Sequence, residues 1–327
     1  MSTIIDTHTH MLSDDWVASM GQHGGAFGIK QVIGGQQAVH LHGAPFMTLT
    51  PGMLDVGLRI KAMDEAGIDL AVVSLTCPNV YWGGREASLQ AARAINDHMA
   101  AAQTAHPARL RWMASLPWQT ADDAVAELHR AIALGARGLI VLANIGGQPL
   151  NAPQFASIWD AIAQTGLPVF VHPTVPPGAD AMQMEDYNLV ANIGFMFDTT
   201  LAFTRLIYDG FFERHPSLKL IAPHAGGTLP YLAGRLDQCW ASMPACRVHL
   251  KRKPSEVLRQ IIYDSVVYEP GALQHCIDIG GAQNMLFGSD YPHNIGDPHG
   301  CRERAEALPL PIREDVLHRN AERIFGL

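Results

Sequence analysis

Residues 4–12 read IIDTHTHML: two histidines, His8 and His10, one residue apart at the end of a short apolar run. On a helix, positions i and i+2 do not share a face. On a strand they do, because side chains alternate with a period of two. If Ile4-Ile5 opens a strand, Asp6, His8 and His10 all point the same way. Two neutral imidazoles on one face suit a metal ion; they also suit an ordinary polar strand end. The rest of the chain has to decide between these readings.

Seven further apolar runs bounded by turn residues follow IIDTH (4–8). They are DLAVVSLT (69–76), LRWMASLP (110–117), GLIVLA (138–143), PVFVHPT (168–174), LKLIAPH (218–224), IIYDSVV (261–267) and NMLFGSD (284–290). They are short and apolar on both sides, as strands of a parallel sheet covered on both faces should be. Helical patterns lie between most of them, over 53–66, 87–106, 120–134, 154–165, 228–240, 271–279 and 313–325. The first sets Leu54, Leu58 and Met63 among Arg59, Lys61 and Glu65. The third opens Thr-Ala-Asp-Asp, favourable at a helix N-terminus, and Gly135 and Gly166 stand where glycines stop helices. Eight such units predict an α/β fold, a (β/α)8 TIM barrel, with residues 1–327 as a single domain. Residues 11–52 break the repeat. They are Gly- and His-rich (GQHGG, IGGQQ, HLHG), and a connection of that length is normally functional. They are expected to form an insertion after the first strand, folded over the barrel mouth, with His23, His40 and His42 as candidate lining.

The chain has 327 residues, 48% hydrophobic and 17% charged, enough for a large core. A net charge of −8 argues against a nucleic-acid partner. No apolar run approaches the roughly 18–20 residues of a membrane span. The first residues lack the basic-then-apolar layout of a secretory leader. Five cysteines are scattered, with no CxxC pair, and read as reduced thiols. A cytoplasmic protein without a membrane partner is expected.

In a barrel of this kind the C-terminal ends of the strands meet at one rim, which holds the active site. His8 and His10 end the first strand, His172 the fifth, His224 the sixth and Asp290 the eighth. Each alone has a plain structural reading; five on one rim point to a site. Imidazole and carboxylate donors suit zinc first, with manganese or iron as the other options. His8, His10, His172 and Asp290 are the expected ligands, leaving one position open for a water whose pKa the metal would lower. His224 would act beside it as general base or acid, and Asp290 as a proton shuttle. Asp6 is either an outer partner of this set or strand-end structure. Phe46, His293, Trp82, Tyr187 and Phe195 are candidate pocket-wall residues; Phe46 and His293 are expected to contact substrate, while Trp82, Tyr187 and Phe195 read rather as packing.

These residues resemble the amidohydrolase superfamily. DTHTH, the VHP of the fifth strand, HAGG followed by LPYLAGRLD, and FGSDYP are similar to its amidohydrolase 2 branch, which includes the 2-amino-3-carboxymuconate-6-semialdehyde decarboxylases. The similarity runs almost end to end, through RIKAMDEAGIDLAVVS, TTLAFTRLIYDGFFERHPSLKLIAPHAGG and DSVVYEPGALQHCIDIGGAQNMLFGSDYP. The resemblance implies a metal-dependent barrel with the ligands named above and a His224 that activates water. It also implies that Arg235 reaches the substrate of a partner subunit, and so a homodimer. Taken by itself, Arg235 equally suits an ion pair with Asp237 or another acid. In that branch a second carboxylate-binding arginine follows a phenylalanine; here Phe46 is followed by Met47, which sets this chain's substrate apart. Many aromatic-acid decarboxylases also carry a glutamate where this chain has His8, so that subgroup fits less well. The expected function is a metal-dependent decarboxylase acting on a small unsaturated or aromatic carboxylic acid. The alternatives are a hydrolase of a lactone or cyclic amide, or a hydratase, using the same site, and a metal-dependent binding protein without turnover.

Overall fold

The computed structural model describes residues 3–32, 35–42 and 44–327. All eight expected strands form one parallel sheet in chain order. They are β1 (Ile5–His10), β2 (Leu70–Ser74), β3 (Leu110–Ser115), β4 (Gly138–Leu142), β5 (Pro168–His172), β6 (Lys219–Ala222), β7 (Ile262–Asp264) and β8 (Met285–Leu286). The sheet closes on itself just beyond β8. Thr7 N–H donates to the Phe287 carbonyl at 2.9 Å, Asp290 N–H to the His8 carbonyl at 2.8 Å, and His10 N–H to the Tyr291 carbonyl at 2.7 Å.

One side chain from each strand fills the barrel: Ile5, Val72, Met113, Ile140, Phe170, Ile221, Ile262 and Leu286, all buried. The last helix, Asn320–Phe325, plugs the bottom with Ala321, Ile324 and Phe325. The interior is therefore a packed core, and only the C-terminal rim is left for chemistry. A second, larger core lies between the strands and the surrounding helices, with Trp112, Trp118 and Trp159 fully buried in it. Among the described residues no helix is long and apolar enough to cross a membrane.

The insertion begins with a helix, Asp14–His23, whose Ser13 side chain accepts the Trp16 N–H. A three-stranded antiparallel sheet follows: Phe27–Gln31, Gln37–Leu41 and Ala44–Thr48. Ile33, Gly34 and Gly43, part of the expected insertion, lie outside the described residues.

The expected helix over 53–66 is two, Pro51–Leu54 and Val56–Ala66, with the Asp55 side chain capping the second by accepting the Leu58 N–H. Its faces are the reverse of the expected ones at two positions: Leu58 is 43% exposed, while Arg59 is 1% exposed. The Arg59 guanidinium compensates its burial by donating to Thr9 Oγ1 at 2.6 Å and to the His10 carbonyl, and it lies 5.0 Å over the Tyr291 ring. It therefore ties the end of β1 to the segment that follows β8.

Candidate metal centre and active site

His8 and His10 leave β1 on the same face, as the period-two argument requires, but a register irregularity between Asp6 and Thr9 interrupts the alternation and Asp6 does not join them. His172 ends β5, and Asp290 lies beyond β8 in a left-handed backbone conformation, φ 58°. All four are buried, and each offers a donor atom within 4.8 Å of the others. His8 Nε2 and His10 Nε2 stand 3.3 and 3.2 Å from Asp290 Oδ1. These three atoms are buried and hydrogen-bonded to nothing. Buried polar atoms are normally satisfied, so three orphans pointing at one spot, from imidazole and carboxylate donors, fit a divalent cation.

The outward side of each ring is held. His8 Nδ1 lies 2.6 Å from Asp264 Oδ2, His10 Nδ1 3.3 Å from Ser74 Oγ, and His172 Nδ1 2.7 Å from the Pro173 carbonyl. Partners of this kind leave Nε2 facing the centre. Asp6 turns to the strand end: its Oδ2 accepts from Ser289 Oγ at 2.5 Å, and its Oδ1 from the His8 N–H at 3.1 Å. Burial lifts its carboxyl to about 6, against the Ser289 hydrogen bond.

The electrostatics divide the cluster. Burial pushes His10 down to about 3 and His172 well below the ordinary histidine value. Burial also lowers His8, but the neighbouring Asp264 and Asp290 charges outweigh it and carry the ring up to about 10. Burial alone would raise Asp290; the His8 charge and the close approach of the His10 and His224 rings hold it well below the usual carboxylate range. A cation in the same place takes over the charge balance that His8 otherwise supplies.

Above the cluster opens a cavity of about 1020 Å³. Phe46, Met47 and Thr48 of the insertion form one wall, Phe195 a second, and Val266 with Val267 a third. The described residues thus combine a (β/α)8 barrel, a donor cluster on its C-terminal rim and an apolar pocket above. Residues 5–327 match the amidohydrolase family as a whole. The chain belongs to the amidohydrolase family.

This amidohydrolase is 29% identical to the 2-amino-3-carboxymuconate-6-semialdehyde decarboxylase of Dictyostelium discoideum, over 99% of this chain and 91% of that one. It is also 29% identical to the gamma-resorcylate decarboxylase of Rhizobium sp. (strain MTP-10005), over 84% and 88% of the two chains. The aromatic-acid subgroup is therefore as near in identity as the semialdehyde decarboxylase, despite His8 in the first motif. Among solved structures, 5-carboxyvanillate decarboxylase from Novosphingobium aromaticivorans DSM 12444, complexed with manganese and 4-hydroxy-3-methoxy-5-nitrobenzoic acid, superposes with a TM-score of 0.86. Its sequence is 26% identical, covering 100% of this chain and 96% of that one.

Of the other residues singled out in the sequence, His224 lines the cavity, with Nε2 3.8 Å from Asp290 Oδ2. Its backbone and that of Ala225 are left-handed, φ 54° and 51°. His293 also lines the cavity, 3.0 Å from Thr76 Oγ1 through Nε2, and burial holds its ring below the ordinary histidine value. Phe46 lines it as expected. Phe195, expected as packing, is a wall residue too; it stacks edge-on to both Phe46 and His172. Tyr187, 86% exposed, and Trp82, buried with its Nε1–H donated to the Asn79 carbonyl, stand outside the cavity. So do His23 and His40, while His42 borders a smaller adjoining recess.

Arg235 sits exposed on the helix Leu229–Ser242, away from its own cavity. The ion pair with Asp237 does not form: Asp237 accepts instead from the Ser255 N–H and hydroxyl, at 2.9 and 2.7 Å. Among the described residues, no lysine or arginine lines the cavity. Asp264, the outer partner of His8, was not anticipated. Its trace in the sequence is a carboxylate inside the apolar run IIYDSVV.

Proposed function

We propose that this amidohydrolase is a metal-dependent decarboxylase, a carbon–carbon lyase, acting on a small unsaturated or aromatic carboxylic acid. The observation that carries the reading is the group of His8, His10, His172 and Asp290 below a large, mostly apolar cavity. The relatives named above are decarboxylases, which favours carbon–carbon cleavage over hydrolysis of a lactone or cyclic amide and over hydration. His8, His10, His172 and Asp290 would hold one divalent ion. When bound, it supplies Lewis-acid charge for the substrate carboxylate and a neighbouring oxygen. Three imidazoles and one carboxylate suit zinc; manganese, named in the related structure, is the other candidate.

His224 and Asp290 handle the proton, their facing atoms 3.8 Å apart. The proton adds to the ring or alkene carbon that bears the carboxylate. The carbon–carbon bond then breaks, carbon dioxide leaves, and the electron pair restores the π system. Phe46 packs against the substrate plane, and His293, kept neutral by burial, hydrogen-bonds a substrate oxygen. Met47 in the wall carries no charge and no described lysine or arginine lines the cavity, so a side-chain cation to pair with the substrate carboxylate alongside the ion has to come from elsewhere. Arg235 of a second copy is that cation, in a bidentate pair, and the active unit is a homodimer. Each chain works as one barrel domain with residues 11–52 as the wall of its mouth. The five unpaired cysteines fit a reducing cytoplasm.

The test is mass spectrometry of small unsaturated and aromatic carboxylic acids incubated with the metal-loaded protein, alongside elemental analysis. About one divalent ion per chain is expected, with loss of carbon dioxide that stops in chelator and returns with the ion. Full activity in chelator overturns the metal reading. Ring opening of a lactone or cyclic amide without release of carbon dioxide overturns decarboxylation.

A further inference from the structure

We infer that Asp264 is a positioning residue that orients the ligand His8 and the turn carrying His224 at once, an assignment that rests on the metal-site reading above. Asp264 ends β7 and is fully buried. Its two oxygens are divided between the two halves of the site. Oδ2 lies 2.6 Å from His8 Nδ1. Oδ1 accepts from the Val266 N–H at 3.0 Å and from the Ala225 N–H at 3.3 Å. Ala225 follows His224 in the left-handed turn, so the second oxygen braces the backbone that aims His224 into the cavity.

The tautomer of His8 follows from the first contact. To offer a lone pair from Nε2 to a cation, the ring must carry its proton on Nδ1, and Asp264 Oδ2 accepts that proton. His10 and His172 lean on neutral partners, a hydroxyl and a carbonyl; of the three imidazoles, His8 has the carboxylate. A charged acceptor makes the stronger hydrogen bond and raises the donor strength of the opposite nitrogen. A purely local reading, in which Asp264 merely caps its own strand end, accounts for the Val266 bond but not for the 2.6 Å contact with His8.

The division of labour makes Asp264→Asn a sharp test. An amide has one oxygen and one NH₂ group. If its oxygen faces His8, its NH₂ meets the two backbone N–H groups, donor against donor; if reversed, its NH₂ faces His8 and drives the ring proton to Nε2. Either way one half of the site loses its brace. Zinc and cobalt(II) dissociation constants, measured by chelator competition, should rise by roughly 10–100-fold, the range for outer-shell partners. The absorption spectrum of the cobalt form should change. The melting temperature of the metal-free protein should move far less than metal affinity does.

Wild-type and variant chains report different failures. A wild-type chain that binds neither ion overturns the metal reading and this proposal with it. Equal affinities and equal cobalt spectra overturn the proposal alone. If Asp264→Asn does not fold, nitrogen-15 NMR of histidine-labelled, zinc-loaded wild type decides. A proton on His8 Nδ1 supports the assignment, and a proton on Nε2 overturns it.

Discussion

His224 and Asp290 both hang from backbone that L-residues rarely adopt, at φ 54° and 58°. Such conformations cost of order 1–3 kcal/mol each and persist where the surroundings over-determine them. At His224 the surroundings are the Asp264 contact to Ala225 and the glycines that follow; a Cβ on Gly226 would stand 2.7 Å from the Tyr263 ring. His224→Ala should lower turnover by roughly 10²–10⁴-fold, the usual range for a positioned acid–base group. Metal content should hold, and elemental analysis of the purified variant checks it; activity restored by excess zinc would make His224 a ligand. A second expectation concerns Asp198. It is buried, accepts from Asn144 Nδ2 at 3.0 Å and from the Thr174 N–H at 2.9 Å, and so pins the loop after β5. Burial raises its carboxyl from 3.8 to about 6, against those hydrogen bonds. A raised carboxyl binds its proton more tightly in the folded chain. Its stabilising contribution is therefore complete below about pH 4 and lost as pH rises through about 6. Asp198→Asn removes that slope. Urea denaturation should show the wild type losing up to ~3 kcal/mol relative to the variant between about pH 4 and pH 7. Parallel pH profiles would refute the assignment.

The eight strands were legible because a strand covered on both faces reads as an unbroken apolar run. A histidine or aspartate ending such a run stands out, as His172, His224 and Asp290 do. Other elements left weaker traces. The strands of the antiparallel sheet in the insertion are only five residues long, and FGIKQ is no more than half-buried, so neither alternation nor apolar runs mark the sheet. Arg59 sat among charged neighbours on what read as a solvent face; nothing local distinguishes it from Lys61, because its partners lie at the end of β1. Asp264 was hidden for the same reason, its partner being 256 residues away. The segment after β8 makes its own demand on sequence. A Cβ at Gly288 would stand 2.6 Å from the His8 Cβ and 3.1 Å from Val266 Cγ2. Gly288→Ala should therefore push His8 off the donor cluster, lowering metal affinity at least tenfold and destabilising the fold by about 1–3 kcal/mol. Isothermal titration with zinc and thermal melting would measure the two effects; unchanged metal affinity would mean that the strand, not His8, gives way.

At the scale of the molecule, Arg235 is an exposed guanidinium with its cavity elsewhere and its nearest sequence acid, Asp237, engaged by Ser255. Mixing two inactive variants, Arg235→Ala and His224→Ala, under subunit exchange reports whether it serves a second copy. A heterodimer then has one pocket that keeps His224 and receives an intact Arg235 from its neighbour, and part of the activity should return. No recovery despite proven exchange excludes a shared site. The seam between β1 and β8 sets a different order of events, during synthesis. His8 and His10 leave the ribosome before His172, and Asp264 and Asp290 leave it after His172. The contact from Thr7 Oγ1 to the Phe287 carbonyl spans 280 residues, the kind of long-range closure that slows folding. Until β7 and β8 emerge, the nascent chain carries these imidazoles without Asp264 and Asp290 and without a closed rim to hold them. With the proposed ligand set, an ion offered to the emerging polypeptide would meet only fragments of its site until Asp290 has been made.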